Sequence, residues 1–278
     1  MNSDGMDWRV TTEPTVEPVT LHEMRQHSRI DSGTEIQLDF GGVAVDETGG
    51  ISSLPAAAHG LSVSGGTRIV VSGTTNYDGV HVTTSETTTE KIAFVATYVA
   101  ETMGTTEFVH TGGDNELILS LIIAARQYCE MFSRRAYITQ TITGKLDRFA
   151  NPPFHFRNMI ILPNPNLQTV SSVKYIDTEG VQQTLDASVY DVDATSTPGR
   201  ITLAYSQSWP SLRGEHHAVE IIFVTGYGDA ATDVPSRIIQ AIKLLAGEWY
   251  REREATGVVN LNEIPNGVNS LLSTDRVF

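Results

Sequence analysis

One change of character along the chain constrains its fold more than anything else. From about Thr34 to Thr111 the sequence turns rich in Gly, Thr, Ser and Val and almost loses its helix formers, while the segments on either side keep helical spacing. Period-two alternation appears in Thr67–Ser72, in Val80–Thr83 and in Lys91–Ala96, the pattern of strands with one buried face. Asn76-Tyr77-Asp78-Gly79 between the first two runs is a hairpin-turn signal, with Gly79 free to take positive φ. The segment reads as a small all-β domain with one exposed side.

Helical signals bracket it. Residues 1–19, with Pro14 and Pro18, read as an extended arm. Thr20-Leu21-His22-Glu23 is a capping-box pattern opening a short amphipathic helix through Leu21, Met24 and Ile30, ending near Asp31-Ser32-Gly33. Asp114 is a natural N-cap for a second helix. Its apolar stripe runs Leu117, Leu121, Ala124, Ala125, Tyr128 and Phe132, widened by Ile118 and Ile122. So broad a stripe predicts burial on more than one side. A third helix opens at Asp233-Val234-Pro235 and carries Ile238, Ile242, Leu245 and Trp249 on one face, with Ile239 and Ala246 beside it.

Between the second and third helices, residues 138–228 read as strands. Ile138–Leu146, Val170–Ile176, Val181–Leu185, Arg200–Leu203 and Val219–Val224 are separated by turns at Thr178-Glu179-Gly180 and Ser196-Thr197-Pro198-Gly199. The expected plan is α+β: a helical base of three main helices carrying two β insertions, followed by an extended C-terminal tail. The boundaries are 1–33 for the arm and first helix, 34–112 for the first insertion, 113–257 for the core and 258–278 for the tail. That tail, Ile264-Pro265 through Leu271-Leu272 to Phe278, is apolar just beyond a charged helix end, so it needs a surface to cover it.

The net charge of −14 argues against wrapping nucleic acid, which needs clustered Lys and Arg, but a negative wall suits DNA that passes without sticking. No apolar run approaches the length of a membrane span, so no membrane partner is expected, and nothing in Met1–Gly5 marks secretion. The single cysteine, Cys129, rules out an internal disulfide framework and sits in an apolar helical run, where a buried inert thiol is expected.

Motifs for chemistry fail one by one. His22-Glu23-Met24-Arg25-Gln26-His27 resembles a zinc-protease helix with the spacing wrong by one residue, which turns the two histidines about 140° apart. Both are expected to face solvent. His216-His217 are adjacent and point to opposite faces of an extended chain. No Gly-rich run leads into Lys-Ser or Lys-Thr, and Gly60-Leu61-Ser62-Val63-Ser64 lacks the last glycine of a nucleophile elbow. Glu248, Glu252 and Glu254 with Arg251 and Arg253 read as a solvated helix end. Trp209, Tyr205, Tyr227 and Phe223 have no interleaved basic residues and read as packing groups, not a base-stacking surface. The sequence gives no catalytic, metal or cofactor site, and no enzyme is expected.

Residues 113–278 resemble the head–tail connector (adaptor) proteins of long-tailed bacteriophages. The resemblance rests on Asp114-Asn115-Glu116-Leu117-Ile118 with Ala124-Ala125-Arg126, and on Ala136-Tyr137-Ile138-Thr139-Gln140-Thr141. It continues through Leu162-Pro163, Leu167–Val173, Pro198-Gly199-Arg200-Ile201, Thr225-Gly226-Tyr227-Gly228, Val234-Pro235 and Glu248-Trp249-Tyr250 to the tail; Thr20–Asp31 belongs to the same pattern. Segment 34–112 departs from it, since the family joins these helices by a short link. The insertion looks like a small β-barrel module that recurs in phage structural proteins, and the 138–228 lobe is expected to be sandwich-like.

The resemblance implies a structural, non-enzymatic virion protein: a homo-oligomeric ring of about twelve copies, docked beneath the portal protein and lining the DNA exit channel. The tail-side partner is a stopper or tail protein. The tail residues Ile264, Pro265, Val268, Leu271, Leu272, Val277 and Phe278 are expected to dock on the portal. Leu117, Leu121 and Tyr128 of the second helix, with Ile238, Ile242 and Trp249 of the third, are expected to form the interfaces between copies. A rival reading, motivated by the two β lobes, is a tail or neck component with a receptor- or glycan-binding β domain.

Overall fold

The computed structural model describes residues 6–30, 33–47, 49–149, 159–252 and 266–277. Two compact units emerge. One draws on Met1–Pro14, Cys129–Pro235 and Leu272–Phe278, the other on Thr15–Tyr128 and Ser236–Leu271. The architecture is mixed α and β, with α-helices at Leu21–Ser28 (α1), Asn115–Ser133 (α2), Ser236–Arg251 (α3) and Asn266–Ser273 (α4). The fourth helix corrects the expectation of three helices and an extended tail.

The Thr15–Tyr128, Ser236–Leu271 unit contains the first insertion. Its strands are Thr34–Gln37 (β2), Val45–Glu47 (β3), Ile51–Pro55 (β4), Arg68–Ser72 (β5), Gly79–Val82 (β6), Lys91–Val95 (β7) and Phe108–Thr111 (β8). They form a four-stranded sheet, β2-β8-β5-β6, and a three-stranded sheet, β3-β4-β7. Between the sheets lie Ile36, Leu38, Leu54, Ile69, Val71, Tyr77, Ile92, Phe94, Met103 and Val109, with Ile69 and Val71 of β5 and Ile92 and Phe94 of β7 at the period-two spacing of one strand face. The expected barrel does not close. Among the described residues no continuous ladder joins the two sheets: they are linked by the isolated bridge of Thr83 with Phe94 and by single backbone hydrogen bonds, Thr84 N–H to the Ala93 carbonyl and Asp39 N–H to the Pro55 carbonyl. The turn between β5 and β6 is also wider than a tight hairpin. Asp78 accepts from the Gly73 and Thr74 amides, and Tyr77 turns inward to donate its hydroxyl to the Val99 carbonyl at 2.6 Å.

In the same unit the capping box forms as read, with Glu23 N–H donating to Thr20 Oγ1 and Thr20 N–H to Glu23 Oε2. Helix α3 buries Ile238, Ala241, Ile242, Leu245 and Ala246, a stripe at the i, i+3, i+4, i+7, i+8 spacing of a core-facing helix.

The other unit holds a five-stranded antiparallel sheet and a three-stranded one. The first runs Met6–Thr12 (β1), Gln140–Leu146 (β9), Val219–Thr225 (β15), Leu167–Ile176 (β11) and Gln182–Thr184 (β12) in spatial order. The second pairs Met159–Ile161 (β10) and Tyr190–Asp193 (β13) on either side of Arg200–Leu203 (β14). Ile142, Leu146, Ile160, Val173, Ile201, Ile221 and Phe223 fill the core, with Phe149 stacked on Trp209 at 4.7 Å. The arm is therefore a strand, not a free extension. Trp8 lies flat across Gly144, where any β-carbon would collide with the indole.

Candidate functional site

Helix α2 has two apolar faces. Ile118, Ile122, Ala125 and Cys129 are fully buried, whereas Leu117 is exposed and Leu121, Ala124 and Tyr128 are half-buried. Successive residues project about 100° apart, so the two sets are adjacent halves of one broad arc, centred about 100° from each other. Trp249, half-buried near the end of α3, meets Tyr128 edge to face at 6.0 Å. Tyr250 donates its hydroxyl to Asp114 Oδ2 at 3.0 Å, fixing the end of α3 beside the start of α2. Leu117, Leu121, Ala124, Tyr128 and Trp249 thus form an apolar stripe that the described residues leave partly uncovered. Ile238 and Ile242 do not join it. Both are fully buried in a single chain, out of direct reach of a neighbour.

The tail is folded back on its own chain. Val268 and Leu272, one helical turn apart on α4, are 0% and 1% exposed, while Leu271 and Val277 are half-buried. Beyond α4 the Val277 amide donates to the Ser133 carbonyl at 3.0 Å, supplying a partner for one of the open acceptors that end α2. Arg135 Nε donates to the Asp275 carbonyl at 2.7 Å, and Arg276 lies over the Phe132 ring at 5.2 Å. Ile264, Pro265 and Phe278 lie outside the described residues.

Among the described residues the polar groups considered for chemistry lie apart from one another. Burial, with help from Glu130, pushes the Cys129 thiol up to about 12, so it is no nucleophile at neutral pH. His216 Nδ1 sits 3.4 Å from Asp147 in the open. Among the described residues no group of three or more His, Cys, Asp and Glu is placed to hold a metal ion. An open groove on β1 and β9 is lined by Asp7, Arg9, Thr11, Thr143, Lys145 and His217. It continues across the sheet as a row in direct register, Asp7 with Lys145, Lys145 with Glu220 and Glu220 with Lys174. Charge alternates in sign along that row, so this face is not the single-sign basic patch that phosphate binding needs. No described helix is long and apolar enough to cross a membrane.

One cluster escaped the sequence reading. His22 is not solvent-facing: it stacks on Phe108 at 4.1 Å and meets Glu35 at 2.7 Å, and behind them lie Arg25, His110 and Ser72. These residues come from α1, β2, β5 and β8, and no local spacing signals their meeting.

No family model and no curated protein matches the sequence. Among solved structures the chain is similar to one in the neck of an empty GTA particle computed with C6 symmetry, at 24% identity and a TM-score of 0.50, covering 60% of this chain and 80% of that one. It is also similar to chains in the virion of a native gene transfer agent particle, at 24% identity, TM-score 0.48 and 60% and 80% coverage, and in the neck of the native particle computed with C12 symmetry, at 24%, 0.47, 58% and 82%. The first of these likenesses establishes a shared fold.

Proposed function

We propose that this chain is a structural head–tail adaptor of a tailed phage or phage-like particle, assembling as a ring beneath the portal and joining the DNA-filled head to the tail. The observation that carries the reading is the partly uncovered stripe Leu117, Leu121, Ala124, Tyr128 and Trp249. A ring needs a head-to-tail interface between unlike patches, and an apolar stripe on two helices suits one half of such an interface. The fold likeness to a chain of a neck computed with C6 symmetry supports a ring, and about twelve copies accord with sixfold symmetry. A net charge of −14 per chain keeps a central channel from holding DNA.

Within this reading the tail docks on the portal. Leu271 and Val277 reach a partner as they stand, whereas Val268 and Leu272 do so only if α4 leaves its present packing. A tail-side stopper or tail protein would meet the opposite rim.

Leu117→Asp and Leu121→Asp test the ring. Wild-type protein at tens of micromolar should give rings by native mass spectrometry and negative-stain microscopy, and the variants should remain monomeric with unchanged circular dichroism. Rings from both variants would place the interface elsewhere. A wild type that stays monomeric with and without portal would end the adaptor reading.

A further inference from the structure

In the Thr15–Tyr128, Ser236–Leu271 unit a polar centre forms where α1, β2, β5, β8 and the start of α2 meet. His110 on β8 is 1% exposed, and its Nε2 lies 2.9 Å from the Ser72 hydroxyl on β5. Its Nδ1 faces Glu35 on β2 at 3.4 Å without an aligned hydrogen bond. The other oxygen of Glu35 accepts from His22 of α1 at 2.7 Å, and Arg25 of α1 approaches Glu35 at 3.9 Å. Arg25 Nη1 donates to Asn115 Oδ1 at 2.6 Å, and Asn115 in turn donates to the Gly112 carbonyl at the entry to α2. Arg68 and Glu116 pair on the exposed side of the same junction.

The outward face of the β2-β8-β5 sheet is thus held to α1 and the start of α2 by polar groups, Arg25, Ser72, His110 and Asn115 buried and His22 and Glu35 at the partly exposed edge, where apolar side chains would hold it more simply. We propose that Glu35, Ser72 and His110, with His22 and Arg25, form an acid-released clasp between the first β insertion and helix α1. Burial first, then Arg25 and His22, hold the His110 imidazole down to about 3. A solvated imidazole takes its proton near 6.5. The closed clasp therefore excludes a proton that the open form accepts. Between about pH 6.5 and 3 each unit of acidification shifts the balance roughly tenfold toward the open form. His22, already paired with Glu35, is a second imidazole at the junction, and its variant separates the two contributions.

The experiment is pulsed electron–electron spin resonance on the full chain, with spin labels at His27→Cys on α1 and Ser85→Cys in the insertion, in sub-denaturing urea that makes the open form measurable. Both positions are exposed, and the native Cys129 is buried. The ratio of long to short distances should rise about tenfold from pH 7.5 to 5.5. His110→Gln should flatten the rise, and His22→Gln should leave it. An unchanged ratio in the wild type, or the same rise in His110→Gln, overturns the clasp. Should His110→Gln fail to fold, the nitrogen-15 titration of His110 in the wild type decides. A neutral ring in the closed form down to pH 4.5 supports the clasp, and protonation near 6.5 without opening overturns it.

Discussion

Leu272→Ala separates a tail that is part of the fold from a tail that merely waits for a partner. Leu272 is 1% exposed at the end of α4, and the chain beyond it is tied down by the Val277–Ser133 and Arg135–Asp275 hydrogen bonds. Truncating a leucine so enclosed removes its transfer energy and leaves a cavity that anchored neighbours cannot fully close, a loss of about 2–4 kcal/mol. For units of this size that lowers the thermal midpoint by about 5–12 °C and the urea midpoint by about 1 M. Leu271→Ala is the internal control. Its side chain is half-buried at the adjacent position, 100° round the helix, and should cost under about 1 kcal/mol. Urea titration followed by circular dichroism at constant slope measures both. A Leu272→Ala protein within about 0.5 kcal/mol of wild type would refute the reasoning, because it would mean the tail contributes no packing in the isolated chain. By the same logic, removal of 263–278 should destabilise the protomer before any question of docking arises.

Three further perturbations test other parts of the structure. Arg126 is buried and donates to the half-buried Glu17 at 2.8 Å, so Arg126→Met should cost about 1.5–3 kcal/mol by removing that charge-assisted hydrogen bond; Arg126→Met with Glu17→Met should recover part of that loss in thermal denaturation. Burial raises Asp78 to about 6 despite hydrogen bonds from Thr74 and Gly73, so its contribution is most favourable below about pH 4 and declines as pH rises through 6. The thermal midpoint of the wild type relative to Asp78→Asn should therefore fall between pH 4 and 7, and a parallel pair of curves would contradict the assignment. Gly144→Val drives a side chain into the Trp8 ring and should cost about 1–3 kcal/mol with a shift in tryptophan fluorescence; an unaltered spectrum and midpoint would show that Trp8 does not cross β9.

Local signals were legible where local physics decides the outcome. The Thr20–Glu23 capping box, Asp114 ahead of α2, and the alternation in β9 and β15 all reappear in the structure, whereas β5 and β7 form as strands but bury consecutive residues. Three misses have physical causes. Met6, Trp8 and Val10 alternate as a strand should, but Pro14 and Pro18 nearby made the segment look like a linker, and its partner strand β9 lies far along the chain. Helix α4 reads Asn-Gly-Val-Asn-Ser-Leu-Leu-Ser, a poor helix former by propensity, and tertiary burial overrides that cost. Its one legible cue was Val268 and Leu272 at i, i+4. The Arg25–Glu35–His110 cluster is legible to no local pattern, because β2 and β8 are brought side by side only when the insertion closes.

The stripe on α2 shows what the sequence could and could not decide. Residues 117, 121, 124 and 128 and residues 118, 122, 125 and 129 are both apolar, and both fit helical spacing. Periodicity cannot choose between two such faces, and the inner face turned out to be the second set. The excess itself carries the information. A helix packed on one side needs an apolar arc of little more than 100°, and α2 carries about 160°. Exposed apolar area of this kind is unfavourable in water, by about 25 cal/mol for each Å² left uncovered, so a chain that keeps it has a surface to cover. Within one chain the described residues only partly meet that demand, through Trp249 against Tyr128. A second copy laid along Leu117 and Leu121 would meet the remainder. On α3 the same reasoning separates residues of one face: the protomer already buries Ile238 and Ile242, whereas Trp249 is only half-buried and stays with the stripe.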